Sequence, residues 1–268
     1  MKNKVVIITG ASSGIGRAMA LEMSKRGAMV VLAARSAEKL ADLEKQIKAS
    51  GREILTITAD VSKEEDCQTI IRKTVEKYGR IDVLINNAGI SMRAIFEKVD
   101  LDVIRRLMEV NFWGTVYCTK YALPELLKSK GSVIGVSSIA GFKGLPGRTG
   151  YSASKFAIQG FLETLRIENL KKGLHVMIAC PGFTASNIRN TALAADGSIQ
   201  GESPRDEGKM MTAEKVAVKV ADAIEKRKKI LILTMQGKMT VLLNKFFPFM
   251  MDRKVYNHMA KEPDSPFK

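Results

Sequence analysis

Lys4-Val5-Val6-Ile7-Ile8-Thr9 is a short apolar run rich in β-branched residues, and it reads as a parallel strand covered on both faces. Six more such runs follow, at Val30 to Ala34, Ile54 to Thr58, Val83 to Ile85, Val133 to Val136, Val176 to Ala179 and Ile230 to Leu233. Charge-bearing segments separate them, and in the first half these predict crossover helices near 14–26, 36–50 and 63–79. The alternation predicts a single-domain α/β fold: a doubly wound, seven-stranded parallel sheet of Rossmann type with helices on both faces. Thr191 to Lys209, rich in Gly, Ser, Asp and Ala, is the expected irregular piece.

The pattern changes after the last predicted strand. Thr240-Val241-Leu242-Leu243-Asn244-Lys245-Phe246-Phe247-Pro248-Phe249-Met250-Met251 is apolar but interrupted. Lys238, Lys245 and Pro248 argue against a spanning helix, and no window in the chain holds eighteen uncharged apolar residues. Leu, Phe and Met beside lysines suit an amphipathic segment on a membrane surface or over an apolar pocket; ordinary packing in a core or between subunits fits the same pattern. Residues 1–235 are therefore expected to form the main α/β unit, with 236–268 as a C-terminal amphipathic extension and a membrane surface as one of the readings open for 230–254.

Composition narrows the class. A chain of 268 residues with 46% apolar content suits one large domain with a sizeable core. Cys67, Cys118 and Cys180 show no metal-binding or disulfide spacing, so buried reduced thiols and no metal site are expected. Met1-Lys2-Asn3-Lys4 runs straight into the first strand, from which no cleavable signal and a cytoplasmic location are expected. The net charge of +15 raises nucleic-acid binding as a class, but its lysines and arginines are dispersed without an aromatic-interleaved basic stripe, so no nucleic-acid partner is expected.

Two local patterns carry chemistry. Gly10-Ala11-Ser12-Ser13-Gly14-Ile15-Gly16 leads from the first strand into a helix, giving a turn whose glycines allow close backbone approach to a pyrophosphate at a helix N-terminus. Ser12 and Ser13 add hydroxyl donors, although the spacing departs from the usual GxGxxG fingerprint. Tyr151 and Lys155, four apart, face one another on a helix; an ammonium beside a phenol favours the phenolate and lowers its pKa. A solvated helix face gives the same spacing.

The order of further motifs carries a resemblance to the short-chain dehydrogenase/reductase superfamily over residues 3–235. Asp60-Val61 follows the third strand, Asn86-Asn87-Ala88-Gly89 the fourth, Asn111 lies in a helix, Ser137-Ser138 closes the fifth strand, and Pro181-Gly182 follows the sixth. The resemblance implies catalysis by Asn111, Ser138, Tyr151 and Lys155, with Ser138 chosen over Ser137 for its thirteen-residue separation from Tyr151. It implies cofactor contacts at Gly10, Ser12, Ser13, Gly14, Ile15, Gly16, Asp60, Val61, Asn87, Ala88, Gly89, Tyr151, Lys155, Pro181, Gly182 and Thr184. Ser186 stands where the family often has a threonine. A mobile substrate loop is implied at about 187–210, and a homodimer or homotetramer through the helices of Asn111 and Tyr151, to which Trp113, Tyr117 and Tyr121 are candidates to contribute.

Cofactor choice rests on the second strand's end. Ala34 stands where an NAD-specific chain would place an acid, and Arg35 suits a 2′-phosphate, so NADP(H) is expected, a solvated strand-end arginine being the alternative. The tail and Ala194-Ala195-Asp196-Gly197-Ser198 resemble the dehydrogenase/reductase member-7-like branch, with 3-ketodihydrosphingosine reductases and hydroxysteroid dehydrogenases as relatives. That implies a keto group on a long-chain or sterol-like molecule. A small soluble ketone, a 3-oxoacyl thioester and a non-catalytic cofactor sensor stay open as alternatives.

Overall fold

The computed structural model describes residues 1–203, 208 and 210–267. Strand β1 (Val5–Thr9) is buried at every position, which is why its sequence is apolar up to the terminal threonine. Next come helix α1 (Gly14–Lys25), β2 (Met29–Ala34), α2 (Ala37–Lys48), β3 (Ile54–Thr58), α3 (Glu64–Tyr78) and β4 (Val83–Asn86). The second half holds α4 (Leu101–Leu107), a π-helical stretch (Met108–Trp113), α5 (Gly114–Lys128), β5 (Ser132–Val136), α6 (Thr149–Glu168) and β6 (His175–Cys180). Helix α7 (Ala213–Glu225), β7 (Ile230–Ile232), α8 (Met235–Phe246) and α9 (Pro248–Met259) complete it.

All seven strands are parallel, in the order β3-β2-β1-β4-β5-β6-β7. The chain winds outward from β1 in both directions, so the connections leaving β1 and β4 diverge and open a crevice beyond their C-terminal ends. One apolar layer under the sheet is built with α1, α2 and α7; the other is built with α3, α5 and α6. Gly135 in β5 has no room for a Cβ, because Leu162 of α6 occupies it. That close approach seats α6 against the strand whose end leads to Ser138.

The apolar tail forms two helices that return over the crevice. Gly237 of α8 abuts Ile139, Asn244 Nδ2 donates to Phe142 O at 2.9 Å, and Lys143 pairs with Asp252 of α9. Of the expected irregular segment, Ala192 and Leu193 are buried, and Leu193 bridges both Met92 and Ile199. Residues 204–207 and 209 of that segment lie outside the described residues. Among the described residues no helix is long and apolar enough to cross a membrane.

Candidate active site

Gly10 and Gly14 adopt φ of +64° and +53°, a left-handed conformation that costs glycine little and other residues more. A Cβ on Gly10 would lie 2.7 Å from Ala88 Cα, so the turn after β1 sits directly against the turn after β4. Thr9 ties them: its Oγ1 accepts from the N–H of Asn87 and of Ala88, both at 3.0 Å, while Asn87 Nδ2 donates to Thr9 O at 2.9 Å. In α1 the bond from Arg17 N to Ser13 O is the first intrahelical link, leaving the preceding N–H groups directed out of the helix end. The Ser13 side chain makes no capping bond, and both Ser12 and Ser13 line the crevice.

This crevice is continuous and measures about 1130 Å³. It runs from the glycine turn past Arg35, Asp60 and Val61 to Gly89, Ser138, Tyr151 and Lys155. Pro181, Gly182 and Thr184 form its farther wall. A Cβ on Gly89 would press to 3.1 Å from Asn111 Oδ1 and 3.5 Å from Lys155 Nζ, so the missing side chain keeps the floor open. An elongated anion fits this donor set and shape: free N–H groups and hydroxyls at one end, an ammonium at the other. Lys39 and Ser36 also line the crevice near Arg35; Ser36 caps α2 by accepting from Lys39 N.

Tyr151 and Lys155 share one face of α6, with Nζ 5.6 Å from the phenol centroid. Lys155 is buried and donates to Val136 O at 2.9 Å. Burial lowers its pKa to about 8, opposed by the neighbouring Cys180. Tyr151 departs from the expected lowering: enclosure by protein holds its phenol above the usual 10, outweighing the downward pull of its Ser138 hydrogen bond and of Arg148 and Arg189. Ser138 itself accepts from Ala140 N at 3.2 Å, opening a 3-10 turn rather than extending β5.

Asn111 occupies the π-helical stretch between α4 and α5, where the extra residue per turn turns its side chain inward. Fully buried, it accepts from Ile90 N at 2.8 Å and donates to Ile90 O at 3.0 Å and Ser154 Oγ at 2.9 Å. It thus joins the β4 turn to the first turns of α6. Asp60 Oδ1 accepts from Ser62 N and Oγ, shaping its own turn, and Thr184 Oγ1 donates to Gly182 O at 3.2 Å. Ser186 lies across from the glycine turn, its Cβ 3.4 Å from the place a Gly14 Cβ would take.

A family profile described as short chain dehydrogenase matches residues 4–196. The chain belongs to that family. Relatives of this short-chain dehydrogenase include an 11-beta-hydroxysteroid dehydrogenase A from Sesamum indicum, 42% identical over 187 residues that cover 69% of this chain and 53% of that one. The chain thus spans about half the length of that relative. The dehydrogenase/reductase SDR family member 7B of Mus musculus is 34% identical, covering 99% of this chain and 84% of that protein. Both relatives agree with the branch resemblance read from the tail.

Two solved structures share the fold. A short chain dehydrogenase/reductase from Burkholderia phymatum in complex with NAD has a TM-score of 0.82 at 25% identity, covering 91% of this chain and 93% of that one. An alcohol dehydrogenase from Thermococcus sibiricus complexed with 5-hydroxy-NADP has a TM-score of 0.76 at 25% identity, covering 86% and 94%.

The sequence reading missed several residues that support or line this short-chain dehydrogenase's crevice. Thr9 and Ser154 carried a local signal, since one is a polar strand terminus before the glycine turn and the other lies between Tyr151 and Lys155. Arg148 lines the crevice and pairs with buried Glu262 at 3.3 Å, a partner 114 residues away that no local pattern reveals. The inner faces of α8 and α9 supply an apolar wall through Leu243, Met251, Val255 and Met259, where Phe183 also meets the His258 ring.

Proposed function

We propose that this short-chain dehydrogenase is an NADP(H)-dependent oxidoreductase that interconverts a ketone or aldehyde and an alcohol on an apolar, sterol-like or long-chain molecule. The observation that carries the reading is the single crevice joining the glycine turn to Ser138, Tyr151 and Lys155 beneath the apolar wall of α8 and α9. In it Gly10 to Gly16 and the α1 N-terminus hold a pyrophosphate, Asp60 and Val61 border adenine, and Asn87 to Gly89 pass the adenosine ribose. Arg35, with Lys39 beside it, receives a 2′-phosphate, and Pro181, Gly182 and Thr184 flank the nicotinamide.

A bound nicotinamide supplies or accepts the hydride. Ser138 donates its hydroxyl to the carbonyl oxygen and stabilises the charge that grows there. Tyr151 passes its phenolic proton to that oxygen, and Lys155, poised near neutrality, restores the proton along a relay anchored at Asn111. Lys155 would also hold the hydroxyls of a nicotinamide ribose, and its positive charge favours the Tyr151 phenolate. Residues 1–235 serve as the catalytic unit and 236–268 as the wall over the substrate. Three buried free thiols support work in a reducing compartment, the cytoplasm.

The test is NADPH consumption with a long-chain keto lipid, a sterol ketone and a short-chain ketone. Turnover of an apolar ketone is expected, with Tyr151→Phe reducing kcat by roughly 100-fold or more while NADPH binding persists. Arg35→Asp is expected to shift preference toward NADH. Tight NADPH binding without consumption of any ketone would overturn the reading.

A further inference from the structure

Helices α8 and α9 have two apolar faces, and the crevice covers only one. Leu243, Met251 and Val255 point into the site, whereas Met235, Leu242, Phe246, Phe247, Phe249 and Met250 stand in solvent, Phe249 at 84% exposure and Met235 at 72%. A fold that has already filled its core gains nothing by leaving three phenylalanines at one helix-helix corner in water. The corner is built to protrude: Phe246 ends α8, Phe247 links the two helices, Pro248 starts α9, and the helices pack on each other.

The charge around this face selects its partner. From Met235 to Met251 the only charged residues are Lys238 and Lys245, both exposed, and the next acid, Asp252, is engaged by Lys143. Arg253 extends the basic margin along exposed α9. Aromatic and aliphatic side chains ringed by cations match an anionic bilayer surface, where rings enter the headgroup boundary and ammonium groups stay among the phosphates. A 12-residue helix is about 18 Å long, short of the roughly 30 Å hydrocarbon core, so the contact lies on the surface rather than across it.

We infer that the Phe246-Phe247-Pro248-Phe249 corner and the outer face of α8 dock this protein on an anionic lipid surface. This sets the opposite face of the same two helices over Tyr151, giving an apolar substrate a path from the bilayer to the crevice without crossing water. The path rests on the apolar-substrate reading, whereas the docking stands on the exposed face and its charge alone.

Flotation of the full chain with phosphatidylcholine vesicles, with and without phosphatidylserine, tests it. Wild type is expected to float with the phosphatidylserine vesicles and to detach in high salt. The triple variant F246S/F247S/F249S is expected to bind roughly tenfold less or weaker still, with NADPH affinity unchanged. The charge reversal K238E/K245E is expected to weaken binding to phosphatidylserine vesicles while leaving binding to neutral ones unaltered. Failure of wild type to float, or equal flotation of the triple variant, would overturn the inference. So would conversion of a larger assembly to monomers by F246S/F247S/F249S with vesicle binding unchanged, which would assign the corner to a second copy. Vesicle binding is read without substrate, so a failed ketone assay leaves this result standing.

Discussion

At the scale of single residues, the chemistry turns on how far burial overrides a neighbouring charge. Lys155 has a pKa of about 8 in the folded, cofactor-free protein against an ordinary 10.5, with burial as the main cause. A pKa lowered by folding means that the charged form is disfavoured there. The unfolded chain therefore holds more protons between pH 8 and 10.5, and the stabilising share of this group is fully present above 10.5 and lost as pH falls through 8. Lys155→Met removes the buried charge and the 2.9 Å bond to Val136 O together. The first effect is larger, so the variant is expected to be about 1–2 kcal/mol more stable than wild type at pH 7 without cofactor. That advantage should vanish as the pH rises past 10.5. Urea midpoints across this range decide it, and a variant less stable at every pH would refute the burial argument. The motif spacing showed that Tyr151 and Lys155 face each other, because helix geometry fixes that pairing locally. It did not show that the phenol stays above 10, because enclosure by distant chain segments decides the sign.

Elements were legible where one periodicity sufficed. Strand β1 and its neighbours lie where apolar runs were read, because a strand buried on both faces carries no polar alternation to confuse it. The tail resisted such reading. Its apolar residues serve two faces of α8 and α9, one in the crevice and one outside, and a sequence pattern marks apolar positions without saying what covers them. Nor did the pattern reveal what pins the chain beyond α9. Glu262, 5% exposed, pairs with Arg148 at 3.3 Å and with Arg93 at 3.8 Å, and Arg93 also donates to Pro263 O. These bonds hold the segment after α9 against a wall of the crevice. Glu262→Gln would remove the carboxylate charge that both guanidinium groups face. It is expected to destabilise the protein by about 2–4 kcal/mol and to speed tryptic cleavage at Lys254 and Lys261. Equal cleavage rates in wild type and variant would show that the pair does not fasten the tail.

For the whole molecule, the proposed homodimer or homotetramer calls for an apolar surface that would meet another copy. Besides the α8–α9 corner, large apolar side chains are exposed on and beside α5 and α6: Trp113, Phe156, Ile167 and Leu170, the last two at 59% and 63%. The two helices are joined beneath by Phe112, which meets Trp113 and Phe161 edge to face, and Trp113 stacks on Tyr117 at 5.5 Å. Tyr121 donates its hydroxyl to Glu64 of α3. A rigid aromatic base under exposed aliphatic groups suits a self-complementary contact, since little side-chain freedom is lost when two copies meet. A stable contact of this kind needs about 800 Å² from each copy, which two helices of 15 and 20 residues can supply. Tyr151 lines the crevice and Asn111 is buried against Ile90 and Ser154, so pairing through the outer surface would leave the site open. Phe156→Glu with Ile167→Glu is therefore expected to convert a dimer or tetramer to monomers in sedimentation velocity, and to lower the thermal midpoint. The phenylalanine corner of α8 and α9 should have no effect on that assembly. Monomeric wild type at micromolar concentration, or an unchanged assembly in the double variant, would remove α5 and α6 as the pairing surface.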